Sequence, residues 1–320
     1  MDNLKIGVFI CCCYLLSCQS GSAENDLPTH EIEPTQSDDT LSGIITDSDT
    51  TVKPGTYKSF DAELADIMHK YFKPELVREL DDHLLEFNEV KTDKDFEASF
   101  DSGISIGKAM ANSLNNAETE YLQKEKSKSE YYDPVGAMPD NEKAAMDKAI
   151  SPIFISCAVE CSEVDLAYNF EGLQELADAT TGEMDDEFIE IAQSIDKYSF
   201  GFLYKGMGSW IEQTWDLGGA SRLGNGEMIN LIEKISGFEA KYDGFEKHIA
   251  DYRKRMLEGL LYTGSFWLSK EEVIDEYRQI MQMDFFSTEQ LKQIEETLEK
   301  LQNPPDYWQF DCQTGDCQFG

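Results

Sequence analysis

Residues 269–305 read SKEEVIDEYRQIMQMDFFSTEQLKQIEETLEKLQNPP, and this stretch sets the fold class. Ser269 and Ser287 each stand ahead of an apolar-periodic run, with Glu272 or Gln290 three residues on. That reciprocal arrangement satisfies two of the free amides at a helix start. Behind them Val273, Ile274, Tyr277, Ile280 and Met281, and then Leu291, Ile294, Leu298 and Leu301, fall on single helical faces. Asn303-Pro304-Pro305 ends the second helix, because proline supplies no amide donor and constrains the residue before it.

The same grammar extends toward the N-terminus. Asp243 and Glu246 form a third candidate box, ahead of Phe245, Ile249, Tyr252, Met256 and Leu260. Phe60, Leu64, Ile67, Met68 and Tyr71 share helical spacing; Pro74 then suits a first helical turn, followed by Leu76, Leu80, Leu84 and Phe87. Further helices are expected at about 93–125, 142–168, 169–180, 185–204 and 227–241. Neither alternating strands nor a solenoid repeat stands out. Residues 57–303 are therefore expected to form an all-α domain, an irregular helical bundle, with a Cys-containing tail over 304–320. A soft boundary falls near 131–141, where YYDPVGAMP carries two prolines and a glycine.

The 320 residues carry 63 acids against 27 bases, a formal charge of −36. That excess argues against nucleic acid, whose phosphates need Lys and Arg, and against electrostatic docking on an anionic bilayer. Hydrophobic residues at 41% suffice for a core.

The first residues differ in kind. Ile6 to Leu16, IGVFICCCYLL, is an apolar run of signal-peptide length and too short to span a bilayer. It leads into Leu15-Leu16-Ser17-Cys18. This resembles the lipobox of bacterial lipoproteins, and the resemblance covers residues 1–18 alone. It implies that residues 1–17 are a signal peptide, that Cys18 becomes the acylated N-terminus, and that two or three acyl chains hold the protein stably at a membrane. The n-region departs from the pattern, since Asp2 offsets Lys5. Gln19 is not the aspartate that retains many proteobacterial lipoproteins at the inner membrane, so the resemblance implies the outer membrane of a bacterial envelope. Residues 18–56 then read as a lipidated, disordered acidic tether, with eight acids against Lys53 as sole base. Its r.m.s. reach as a coil is roughly 35 Å.

The mature body contains Cys157, Cys161, Cys312 and Cys317. An even count in an exported chain points to disulfides. On a helix over 142–168, Cys157 and Cys161 are one turn apart, about 5–6 Å between Cβ atoms, too far to pair with each other. Two bridges to the 312–317 tail are expected, with a four-cysteine zinc site or free thiols as alternatives.

Three places carry candidate chemistry. Glu79, His83 and Glu86 fall at i, i+4, i+7, within reach of one cation, although the chain has no Glu-x-x-His, and a solvated helix shoulder is the plainer reading. Ser194-Ile-Asp-Lys197 lacks the companion motifs of penicillin-binding enzymes. Gly201 to Gly226 gathers seven of the 22 glycines with Trp210 and Trp215. It reads either as a binding loop with Arg222 as an anion contact or as a kinked junction whose tryptophans are core. No cofactor motif and no catalytic constellation is visible. The expected function is a non-catalytic, lipid-anchored envelope protein that binds another protein, a basic partner suiting its charge. The alternatives are a small-ligand binder near Trp210 and Trp215, and a metal-assisted enzyme using Glu79, His83 and Glu86.

Overall fold

A computed structural model describes residues 57–125, 139–159, 163–196, 208–213, 219–262 and 264–312, all within the second of the two units, 1–47 and 48–320, into which the chain divides. Cys18, the 18–56 tether, Cys161, Trp215 and Cys317, with most of the expected boundary near 131–141, lie outside the described residues.

The fold is all-α. The helices are α1 (Ala62–Tyr71), α2 (Pro74–Glu86), α3 (Asp93–Glu125), α4 (Asp140–Ile150), α5 (Phe170–Ala177), α6 (Met184–Asp196), α7 (Glu227–Lys241), α8 (Glu246–Leu260), α9 (Lys270–Ile280) and α10 (Thr288–Gln302). None of them is long and apolar enough to cross a membrane. Ser269 and Ser287 form both expected capping boxes, at the starts of α9 and α10. The box expected at Asp243 does not form: the N-cap of α8 is Phe245, in the left-handed region at φ 56°.

Among the described residues, five short strands punctuate the helices. β1 (Phe154–Val159) and β2 (Glu163–Tyr168) pair antiparallel, placing Phe154 opposite Tyr168 and Cys157 opposite Asp165. The helix expected over 142–168 therefore stops at Ile150. Pro152 explains the break, since within a helix its ring would clash with the preceding turn and remove a hydrogen bond. The chain then alternates, with Phe154 buried and Ile155 exposed. β3 (Ile211–Gln213) runs antiparallel to β4 (Gly219–Ser221), and β4 pairs in parallel with β5 (Ser265–Phe266) after the α7–α8 excursion.

The core forms around α3, whose Phe96, Phe100, Ile106 and Met110 are buried. Phe100 stacks on Tyr168 at 4.4 Å between centroids, and Phe188 of α6 stacks on Phe245 at 3.8 Å. Each such ring contributes about 1.5–3 kcal/mol by leaving water.

Acidic side chains of α3 also position other helices. Asp93 accepts the amide of Met184 at 3.1 Å, at the start of α6. Glu97 accepts that of Phe245 at 2.6 Å, at the start of α8, and Asp101 meets His248 Nε2 at 2.7 Å. A carboxylate is stabilised at a helix N-terminus by the free amides and the dipole there. Part of the acidic excess is thus architectural.

Candidate functional site

Pro74 starts α2, and the chain after it divides into two faces. Val77, Leu80 and Leu84 enter the core. Glu75, Glu79, Asp82 and Glu86, spaced by four, three and four residues, line the shoulder beside them. Facing this shoulder, Ser102 and Ile106 of α3 complete an open groove of about 350 Å³, with Arg78 and His83 also in its lining. Glu79, His83 and Glu86 do share one groove. Among the described residues, however, no group of three His, Cys, Asp or Glu side chains is arranged to hold a metal ion.

His83 is the unusual member. Its side chain is only 2% exposed, and among the described residues neither ring nitrogen has a hydrogen-bond partner. Nδ1 lies 4.0 Å from Glu86 Oε2, beyond hydrogen-bond range, while Glu86 itself is 71% exposed. On the other side, Nε2 is 3.3 Å from where a Cβ on Gly103 would sit, so the bare glycine admits the ring. Phe87 packs against it in a T-shaped arrangement, 4.9 Å between ring centroids. Burial penalises the imidazolium and pulls the pKa from 6.5 down to about 4, so the ring is neutral at pH 7. A neutral imidazole carries one N–H and one lone pair, and leaving either dry and unmatched costs about 1–3 kcal/mol. Helical spacing alone brings Glu79, His83 and Glu86 into view; Gly103, Ser102 and Ile106 come from another helix, which spacing within α2 cannot reveal.

The glycine-rich segment resolves differently. Trp210 is 3% exposed, and its indole covers Gly259 of α8 so closely that a Cβ there would fall 2.2 Å from Nε1. It is a core residue. Arg222 donates its main-chain amide to the Trp210 carbonyl at 2.7 Å, and its Nε pairs with Glu227 at 3.8 Å. Gly224 and Gly226 take φ of +107° and +80°, which L side chains rarely adopt, and turn the chain into α7.

That turn is held by a residue that no sequence motif marks. Glu276 of α9 is 2% exposed, and its Oε2 accepts the Gly224 amide. Burial raises its pKa, while the amides of Gly224, Gly226, Ile229 and Met228 oppose the rise. A second acidic group lies at the start of α6. Asp185 is fully buried and accepts from Thr180 Oγ1 at 2.9 Å. Neighbouring Asp186 is pushed up to about 6, first by burial and then by the charges of Asp185, Asp178 and Asp93. Among the described carboxylates, crowding by like charge is thus a local fact.

Cys157 sits on β1 rather than on a helix, so the one-turn spacing assumed for it and Cys161 does not apply. Cys312 is buried, 3% exposed. No family model matches the chain, and comparison with curated proteins and with solved structures finds no match either.

Proposed function

We propose that this chain is a lipid-anchored protein of a bacterial envelope that binds another protein, without catalysis, through an acidic body facing a basic partner. The lipobox ending at Cys18 carries the anchoring part of the reading, and the charge of −36 carries the partner part. An acidic surface raises the encounter rate with a cationic partner and turns away acidic ones. Four carboxylates along one helix shoulder, standing against a single Arg78, support the same reading locally. Outer-membrane placement follows from Gln19 by resemblance, and pinning of the C-terminal tail by bridges from Cys157 and Cys161 is part of the proposal.

Two experiments test it. Cys18→Ala should move the protein from the membrane fraction to the soluble envelope fraction, and unchanged fractionation removes the lipoprotein reading. In-cell crosslinking should trap one dominant basic protein, more weakly as salt rises. A clean lane removes the partner reading.

A further inference from the structure

The groove between α2 and α3 joins two independent features. One is a row of four exposed carboxylates, Glu75, Glu79, Asp82 and Glu86, with Arg78 as the only opposite charge in the lining. The other is the buried His83 ring, whose nitrogens find no partner within the described protein. The row by itself would be an ordinary solvated helix face. The ring makes it a site, because a desolvated lone pair gains a full hydrogen bond when a donor arrives.

Charge selects the donor. An anionic group would meet four carboxylates and one guanidinium, so the groove repels it. A metal ion lacks its ligand set, since no three candidate side chains converge here. A cationic N–H group suits both features at once: it is attracted by the row and can donate to a neutral imidazole.

We infer that this groove receives the ammonium or guanidinium group of a basic polypeptide segment, with His83 Nδ1 accepting its hydrogen bond and Glu75, Glu79, Asp82 and Glu86 supplying the counter-charge. Nδ1 is the accepting atom because it lies on the Glu86 side, whereas Nε2 abuts α3 at Gly103. The bond keeps the ring proton on Nε2. Glu86 stands over Nδ1 without bonding to it, and so exposed a side chain swings aside to admit the incoming group and then pairs with it. A long, thin Lys or Arg side chain fits such an entry, and neighbouring basic residues of the same segment meet the rest of the row. This rests on the reading of the chain as a binder of a basic protein and names where that partner is held.

The test is a titration of the full chain, in neutral detergent and with 15N-labelled histidine, with hexalysine at low salt. The His83 Nδ1 resonance should move saturably while those of His30, His69 and His248 stay in place. Glu79→Gln/Asp82→Asn, both on the exposed shoulder, should weaken the affinity about tenfold, which corresponds to about 1.4 kcal/mol. His83→Leu should weaken it as well, with the fold checked by circular dichroism. Hexalysine binding with every histidine resonance unmoved overturns the site and leaves the basic-partner reading standing. Absence of hexalysine binding overturns the site too, and the in-cell crosslink then decides the partner reading separately. Spermidine moving the same resonance more tightly than hexalysine overturns the polypeptide occupant.

Discussion

The carboxylate of Glu276 on α9 holds the turn that leads into α7 by accepting the main-chain N–H of Gly224, 52 residues earlier in the chain. Two glycines in left-handed conformations turn the backbone so that its amides point at this one buried acid. Removing the carboxylate strands those amides away from water. Glu276→Ala is therefore expected to cost about 2–4 kcal/mol in urea unfolding, and Glu276→Gln, which keeps an acceptor oxygen, clearly less.

The pH dependence of that pair has a definite sign. Glu276 has its pKa raised in the folded state, so its relative stabilising effect is full below the unfolded-state pKa and fades as pH rises through the folded value. The stability of wild type relative to Glu276→Gln should fall as pH is raised from acid toward neutrality. A flat difference would mean that the folded and unfolded pKa values coincide, the amides offsetting burial in full.

His83 behaves in the opposite way. Its pKa is lowered to about 4, so between pH 6.5 and 4 the unfolded chain takes up a proton that the folded one refuses. Stability from this group is full above about 6.5 and is lost on acidification, by up to about 3 kcal/mol. His83→Phe should remove that part of the acid slope, which paired urea titrations at pH 7 and pH 4.5 would detect.

Gly259→Ala places a methyl group inside the indole of Trp210. The expected cost is about 1–3 kcal/mol, with a change in tryptophan emission as the ring is displaced. An unshifted spectrum and midpoint would show that the contact is slack.

Helix starts offer a comparison of motif with geometry. Ser269→Ala and Ser287→Ala should each cost about 1 kcal/mol, because both boxes are formed. Asp243→Ala should stay within about 0.5 kcal/mol, since the side chain caps nothing and is exposed. Glu97→Ala, far away in sequence, should cost more than Asp243→Ala, because Glu97 holds the Phe245 amide.

Local information decided the elements themselves. Apolar spacing, serine boxes and prolines are read within a turn or two, which is why α1, α2, α3, α7, α9 and α10 fall where the periodicity puts them. The same information held Pro152, the residue that turns one expected helix into α4 and a hairpin. Tertiary structure alone decided the rest. Asp93, Glu97 and Glu276 look like surface acids in the sequence, and only the packing of α3 and α9 against other helices makes them caps. The glycine-rich segment reads in the sequence as either a ligand loop or a junction with core tryptophans, and Trp210 is core because Gly259 of α8 leaves room for the indole. Glu79, His83 and Glu86 stand in line by helical geometry, whereas the burial of His83 comes from packing against another helix, α3, where Gly103 lies beside the ring. Spacing along one chain segment places side chains on a face; whether that face meets water, an amide or a neighbouring ring is set by segments far away in sequence.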